Sequence, residues 1–145
     1  MRWEHDGYTI SNEHVSIDVV HAFLREAYWA TGVPREIVDD AIRDSLCFSL
    51  YRGDPEDAAS AQIGFARVVT DRATFAWVCD VFVLPEFRGR GLALWLIGTV
   101  VAHPDLQRLR QIVLATRDAH QLYARFGFER APDGRYMVLR RTYQS

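Results

Sequence analysis

At 145 residues, with 49% hydrophobic and 25% charged positions, the chain suits one domain around one sizeable core, and no apolar run is long enough to span a membrane. A net charge of −2 argues against a broad basic surface for nucleic acid. Two cysteines, Cys47 and Cys79, are too few for a disulfide framework or a zinc motif, so buried inert thiols and no metal are expected. The first ten residues, MRWEHDGYTI, lack the apolar core of a signal peptide, and a cytoplasmic location follows as the expectation.

In chain order, Tyr8 to Ser11 reads as a short first strand. Ser16 is placed to cap a helix from Ile17 to about Tyr28, with Ile17, Val20, Phe23 or Leu24, and Ala27 on one face. Gly32 breaks it, and Pro34 suits the first turn of a second helix that turns Ile37, Val38, Ala41 and Ile42 inward. Leu46 to Tyr51 alternates with period two, as a strand does. Two further strands, 61–70 and 73–84, follow the turn-rich RGDPED and are joined by Asp71 and Arg72.

Leu92 to Ala102 is apolar nearly all round and reads as a buried helix. Gln111 to Thr116 is an apolar strand of the kind found at the centre of a sheet. A short helix over 118–126 is stopped by Gly127, and a turn at Pro132 to Gly134 leads into a closing strand. The order predicts an α+β domain, a mixed and mostly antiparallel sheet with about four helices packed on it.

Chemistry concentrates at Pro85 to Ala93, PEFRGRGLA, between a strand and the buried helix. The first N–H groups of a helix have no internal partner, the helix dipole is positive there, and glycine allows close approach. Such a joint binds phosphate without lysine, and this chain has none: all 17 basic residues other than histidine are arginine, which meets phosphate bidentately. A Walker-type loop needs Gly-Lys-Ser/Thr, and here Gly91 is followed by Leu92 and Ala93. A dinucleotide fingerprint needs a third glycine where Leu94 stands. A tight turn with solvated arginines is the alternative that needs no ligand.

Arg88-Gly89-Arg90-Gly91-Leu92-Ala93 also resembles the Arg/Gln-x-x-Gly-x-Gly/Ala loop of GNAT-type N-acetyltransferases, and LYARFGFE, Leu122 to Glu129, is similar to that family's second motif. The order of elements agrees along nearly the whole chain, so the resemblance implies a single acyltransferase domain over 1–145. It implies acetyl-CoA as acyl donor, held where the family's fourth and fifth strands splay apart. Val81, Phe82 and Val83 then match the positions whose backbone pairs with the pantetheine arm, and Arg88, Gly89, Arg90, Gly91, Leu92 and Ala93 those that hold the pyrophosphate.

The resemblance further implies Tyr123 as general acid to the departing thiolate, since a tyrosine is protonated at neutral pH. Asp80 and His120 are candidate bases for the acceptor amine, beside the alternative that no dedicated base exists. Tyr28 and Trp29 are candidates for an aromatic acceptor wall taking an apolar or cationic group, while Trp77 is assigned to the core. Thr116, Arg117 and Asp118 stand where the family often has an asparagine; Asp118 is read instead as a helix cap. The expected activity is acetyl transfer to the primary amine of a small molecule or peptide, with no nucleic-acid or membrane partner, and a homodimer as the family's common assembly. An acyl-CoA sensor without turnover, and an interaction protein with a filled cleft, are the two readings from other classes.

Overall fold

The computed structural model describes residues 1–143. Its spine is one six-stranded sheet in sequential order: β1 (Arg2–His5), β2 (Tyr8–Ser11), β3 (Leu46–Arg52), β4 (Ala61–Thr70), β5 (Phe75–Val83) and β6 (Gln111–Leu114). The first five strands pair antiparallel, and β6 joins β5 in parallel. The helices are α1 (Ile17–Leu24), α2 (Arg35–Arg43), α3 (Leu92–Ala102) and α4 (His120–Ala124). The mixed α+β sheet expected from the sequence is the sheet observed.

Both faces of the sheet are covered, and that makes β3 buried at all six positions from Leu46 to Tyr51. On one face Phe48, Leu50, Ile63 and Val68 pack against Leu92, Leu96 and Val100 of α3. On the other, Cys47, Phe65 and Phe82 pack against Val20, Leu24 and Val38 of α1 and α2. Gln62, buried in β4, ties helix to sheet: its Oε1 accepts from the Ser16 N–H at 2.7 Å and its Nε2 donates to the Gly64 carbonyl at 3.0 Å. Ser16 caps α1 as expected, accepting from the Val19 N–H.

Gly64 sits at a close approach of neighbouring strands. A Cβ there would lie 2.9 Å from the Phe82 carbonyl oxygen and 3.0 Å from a methyl of Leu50, so no side chain fits without moving the strands.

Four differences from expectation bear on the fold. β1 adds a strand before the first one anticipated. It is joined to β2 by Asp6 and Gly7, both at positive φ, the two-residue turn that matches strand twist. Helix α1 stops at Leu24 rather than about Tyr28, because the chain tightens into three-residue turns, Glu26 N–H to Phe23 and Ala27 N–H to Leu24. β6 lies at the sheet's edge, not its centre. Finally, the closing strand does not form among the described residues: the Pro132 turn is present, with the Arg135 N–H on the Pro132 carbonyl, but the chain beyond it has no strand beside it.

No helix among the described residues is long and apolar enough to cross a membrane.

Candidate active site

β5 holds β6 only through its first half. The pairs run from Phe75↔Gln111 to Val78↔Leu114, then stop, while β5 continues to Val83 against β4 on its other side. From Cys79 onward the β5 edge that faced β6 has no strand partner among the described residues. β6 ends at Leu114, so the second half of β5 is left with an open edge on that side.

The open edge begins at a bulge. Phe82 pairs with Phe65 and Cys79 with Arg67, so β5 carries one residue more than β4 across that interval. Asp80 absorbs it with φ of 52°, in the left-handed region. Its carboxylate is engaged at both oxygens. Arg67 Nε donates to Oδ2 at 2.8 Å, and the Trp29 indole N–H donates to Oδ1 at 2.9 Å. The Arg67 guanidinium also donates to Ser45 Oγ at 3.1 Å. The ion pair is largely enclosed, with 19% and 12% of the two side chains exposed.

Around this point lies a cavity of about 730 Å³ lined by Tyr28, Trp29, Arg67, Asp80, Val81 and Tyr123, among others. Tyr123 is buried on α4 and packs edge-on to Phe128, with ring centroids 5.8 Å apart. Burial raises its hydroxyl pKa above the usual tyrosine value, and nearby Tyr28 adds to the effect. Phe126 packs elsewhere, reaching the space above Gly98 on α3.

The cavity thus gathers Tyr123, Asp80, Val81, Tyr28 and Trp29, which sequence motifs singled out separately. Phe82 and Val83 lie buried beyond it, Phe82 stacked on Phe23 at 4.0 Å. His120 does not line the cavity, although it stands one turn from Tyr123 on α4. Trp77 does line it and is 36% exposed, which corrects its assignment to the core. Asp118 does not cap α4; Thr116 Oγ1 accepts from the Ala119 N–H instead, at 3.0 Å.

Two cavity residues carry no local sequence signal. Arg67 meets Asp80 only because β4 and β5 form a hairpin, so its partner is 13 positions away. Arg117 lies 3.8 Å above the Tyr28 ring. It occupies the aromatic face that was a candidate for a cationic acceptor group.

The glycine loop leads from the far end of β5 into α3. After a 3-10 turn at Pro85–Phe87, Gly89 and Gly91 take φ of 81° and 76°, and Gly91 begins the helix without any side-chain cap. No side chain caps the first N–H groups of α3, which leaves them open to an anion. The neighbouring arginines are partly anchored: Arg88 Nε donates to the Val83 carbonyl at 2.9 Å, and Arg90 donates to Tyr8 Oη at 3.0 Å while lying over the Phe87 ring. The loop's shape is thus fixed by contacts made without ligand.

The thiols are masked. Burial pushes Cys47 up to about 11 and Cys79 up to about 12, although Arg67 pulls both the other way. Among the described residues no group of histidine, cysteine and acidic side chains is arranged to hold a metal.

Comparison with known proteins points the same way. Residues 43–130 match the family model of the acetyltransferase (GNAT) domain. A crystal structure of a GNAT-family protein from Xanthomonas campestris pv. campestris superposes with a TM-score of 0.84 at 42% identity, covering 96% of each chain. An uncharacterized N-acetyltransferase of Pyropia yezoensis is 30% identical over 135 residues, covering 89% of this chain and 74% of its own. A GNAT family acetyltransferase from Elizabethkingia anophelis, solved with acetyl-CoA bound, shares the fold at 15% identity, with a TM-score of 0.64 over 88% of this chain and 80% of that one.

Proposed function

The chain belongs to the GNAT family of acetyltransferases, and on that premise we propose that it is a single N-acetyltransferase domain moving acetyl from acetyl-CoA to a primary amine. The observation that carries the reading is the open edge of β5 past Val78, where β6 ends at Leu114, with the uncapped start of α3 at one end and Tyr123 beside the cavity at the other.

In this reading the pantetheine arm lies along Val81 to Val83 and pairs with backbone groups on the β5 edge that β6 leaves unpaired, apart from the Val83 carbonyl that Arg88 holds. The pyrophosphate meets the N–H groups from Arg88 to Ala93, where the helix dipole favours negative charge. Arg88 and Arg90 use their remaining guanidinium N–H groups on phosphate oxygens. A β5 backbone N–H polarises the thioester carbonyl as charge develops on its oxygen.

The neutral acceptor amine attacks the thioester carbon, forming the C–N bond. The tetrahedral intermediate collapses with cleavage of the C–S bond, and the CoA sulfur takes the proton of the Tyr123 hydroxyl. Nitrogen releases its extra proton to water, and solvent returns one to the Tyr123 phenolate. Asp80 is spoken for by Arg67 and Trp29, and His120 stands off the cavity, so water is the proton acceptor and Asp80 a positioning residue. The acceptor enters beside Trp29.

A panel of amines with acetyl-CoA, read as free thiol, tests this. Release that depends on both enzyme and one class of amine is expected. Tight CoA binding with no amine-dependent release would point to an acyl-CoA sensor and overturn the enzymatic reading.

A further inference from the structure

The cavity beside Tyr123 carries more positive charge than the mechanism uses. Its lining includes Arg67, Arg117 and Arg140 against Asp80 and Asp118. Arg67 and Asp80 cancel one another in their enclosed ion pair. Arg117 and Arg140 enter no ion pair among the described residues, and they outnumber Asp118.

Arg117 is held in a particular place. Its guanidinium carbon lies 3.8 Å from the centre of the Tyr28 ring. That ring packs edge-on to Trp29 at 5.1 Å, and the Trp29 indole is tied to Asp80, which is tied to Arg67. The cation thus rests on the last member of a chain of contacts anchored in the sheet. Tyr28 is also close enough to Tyr123 to push its hydroxyl pKa up, so the guanidinium stands one ring away from the acid. Lying on a ring uses the face of a guanidinium. Its five N–H donors lie in its plane, in a fork that fits a carboxylate. The ring beneath also steadies the fork, so less freedom is lost when an anion binds. The aromatic face that would receive a cationic acceptor is therefore filled, and the group that fills it is one that an anion satisfies.

Taking the acetyltransferase reading as given, we propose that Arg117 anchors a carboxylate on the acceptor, so that this chain acetylates amines of the amino-acid class rather than simple alkylamines. With its carboxylate on Arg117, an amino acid presents its amine toward the thioester beside Tyr123. Arg140, the second unpaired cation of the lining, attracts the same charge from further off. Trp29 and Trp77, 43% and 36% exposed, offer apolar walls for the acceptor's side chain.

Matched acceptors test the proposal: L-phenylalanine and L-leucine against their amides, with acetyl-CoA as donor and free thiol as readout. The amine of an amino-acid amide is the less basic, so more of it is neutral, and a preference for the acid has to come from the protein. kcat/KM is expected to be at least about tenfold higher for the acids. Arg117→Gln should bring that ratio close to one, chiefly by raising KM for the acids, and Arg117→Lys should restore part of it. Amides that match or exceed the acids in the wild type overturn the proposal. So does a preference that survives Arg117→Gln, or release confined to amines without a carboxylate. Calorimetry of L-phenylalanine with the CoA-loaded protein separates this from failure of the acetyltransferase reading. Binding that depends on the carboxylate and on Arg117, with no thiol released from any amine, removes the transferase reading and leaves the anchor standing. Neither binding nor release removes both.

Discussion

Replacing Tyr123 by phenylalanine is expected to lower kcat by about a hundredfold or more, with little change in affinity for acetyl-CoA. The ring stays in place, because the hydroxyl contributes nothing to its edge-on packing with Phe128. Only the proton for the departing sulfur is lost. The pH profile separates this from a packing defect. Burial and Tyr28 raise the hydroxyl pKa above the ordinary tyrosine value. The acid is therefore present throughout the neutral range and is lost only as pH rises past its raised pKa. Wild-type kcat should hold at neutral pH and fall along that alkaline limb. The phenylalanine variant should be slow throughout and lack the limb. Equal kcat in the two proteins would remove Tyr123 from the chemistry.

The second large effect concerns Arg67. Arg67→Met is expected to destabilise the fold by about 3 kcal/mol, because it leaves the Asp80 carboxylate enclosed without its cation. Asp80→Asn should also destabilise, since the single amide oxygen accepts from Trp29 or from Arg67 but not both, and Arg67 loses its counter-charge. The double variant should recover much of the loss, giving a coupling energy of about 2 kcal/mol in a denaturant cycle. Additive losses would show that the pair, 2.8 Å apart, does not act as a unit. The same contact holds the β5 bulge and the Trp29 indole, so residual activity of Arg67→Met should fall more than its folded fraction. Asp80 acting as a base predicts the contrary: Asp80→Asn would abolish turnover and leave the Arg67 variant comparatively active.

The sheet was legible where burial imposed a period. Leu46–Arg52, Ala61–Thr70 and Leu92–Ala102 fall where alternation or all-round hydrophobicity places them. β1 escaped because RWEH has a single apolar residue, Trp3, and an edge strand needs no more. The Asp6-Gly7 pair, a hairpin signature, was the signal available. The closing strand was over-read because MVLRR has strand composition, whereas pairing depends on which edge it meets, and composition does not encode that.

At the site, Gly89, Gly91 and Tyr123 were visible because each stands in a local motif. Arg67 was not, since its role arises only where two strands pair around a bulge. Trp77 illustrates the same limit from the other side. A tryptophan in a strand next to apolar neighbours reads as core, but β6 ends just past it and Trp77 lines the cavity.

CoA is expected to occupy the open edge of β5 beside β6, with its pyrophosphate on the first turn of α3. Titration of the isotope-labelled protein with CoA, followed by amide NMR, addresses it directly. The largest shifts are expected at Gly89, Gly91, Leu92 and Ala93, with a second group at Val81 to Val83. Saturating CoA that leaves those amides unmoved, or moves a different surface, would rule out CoA binding between β5 and α3.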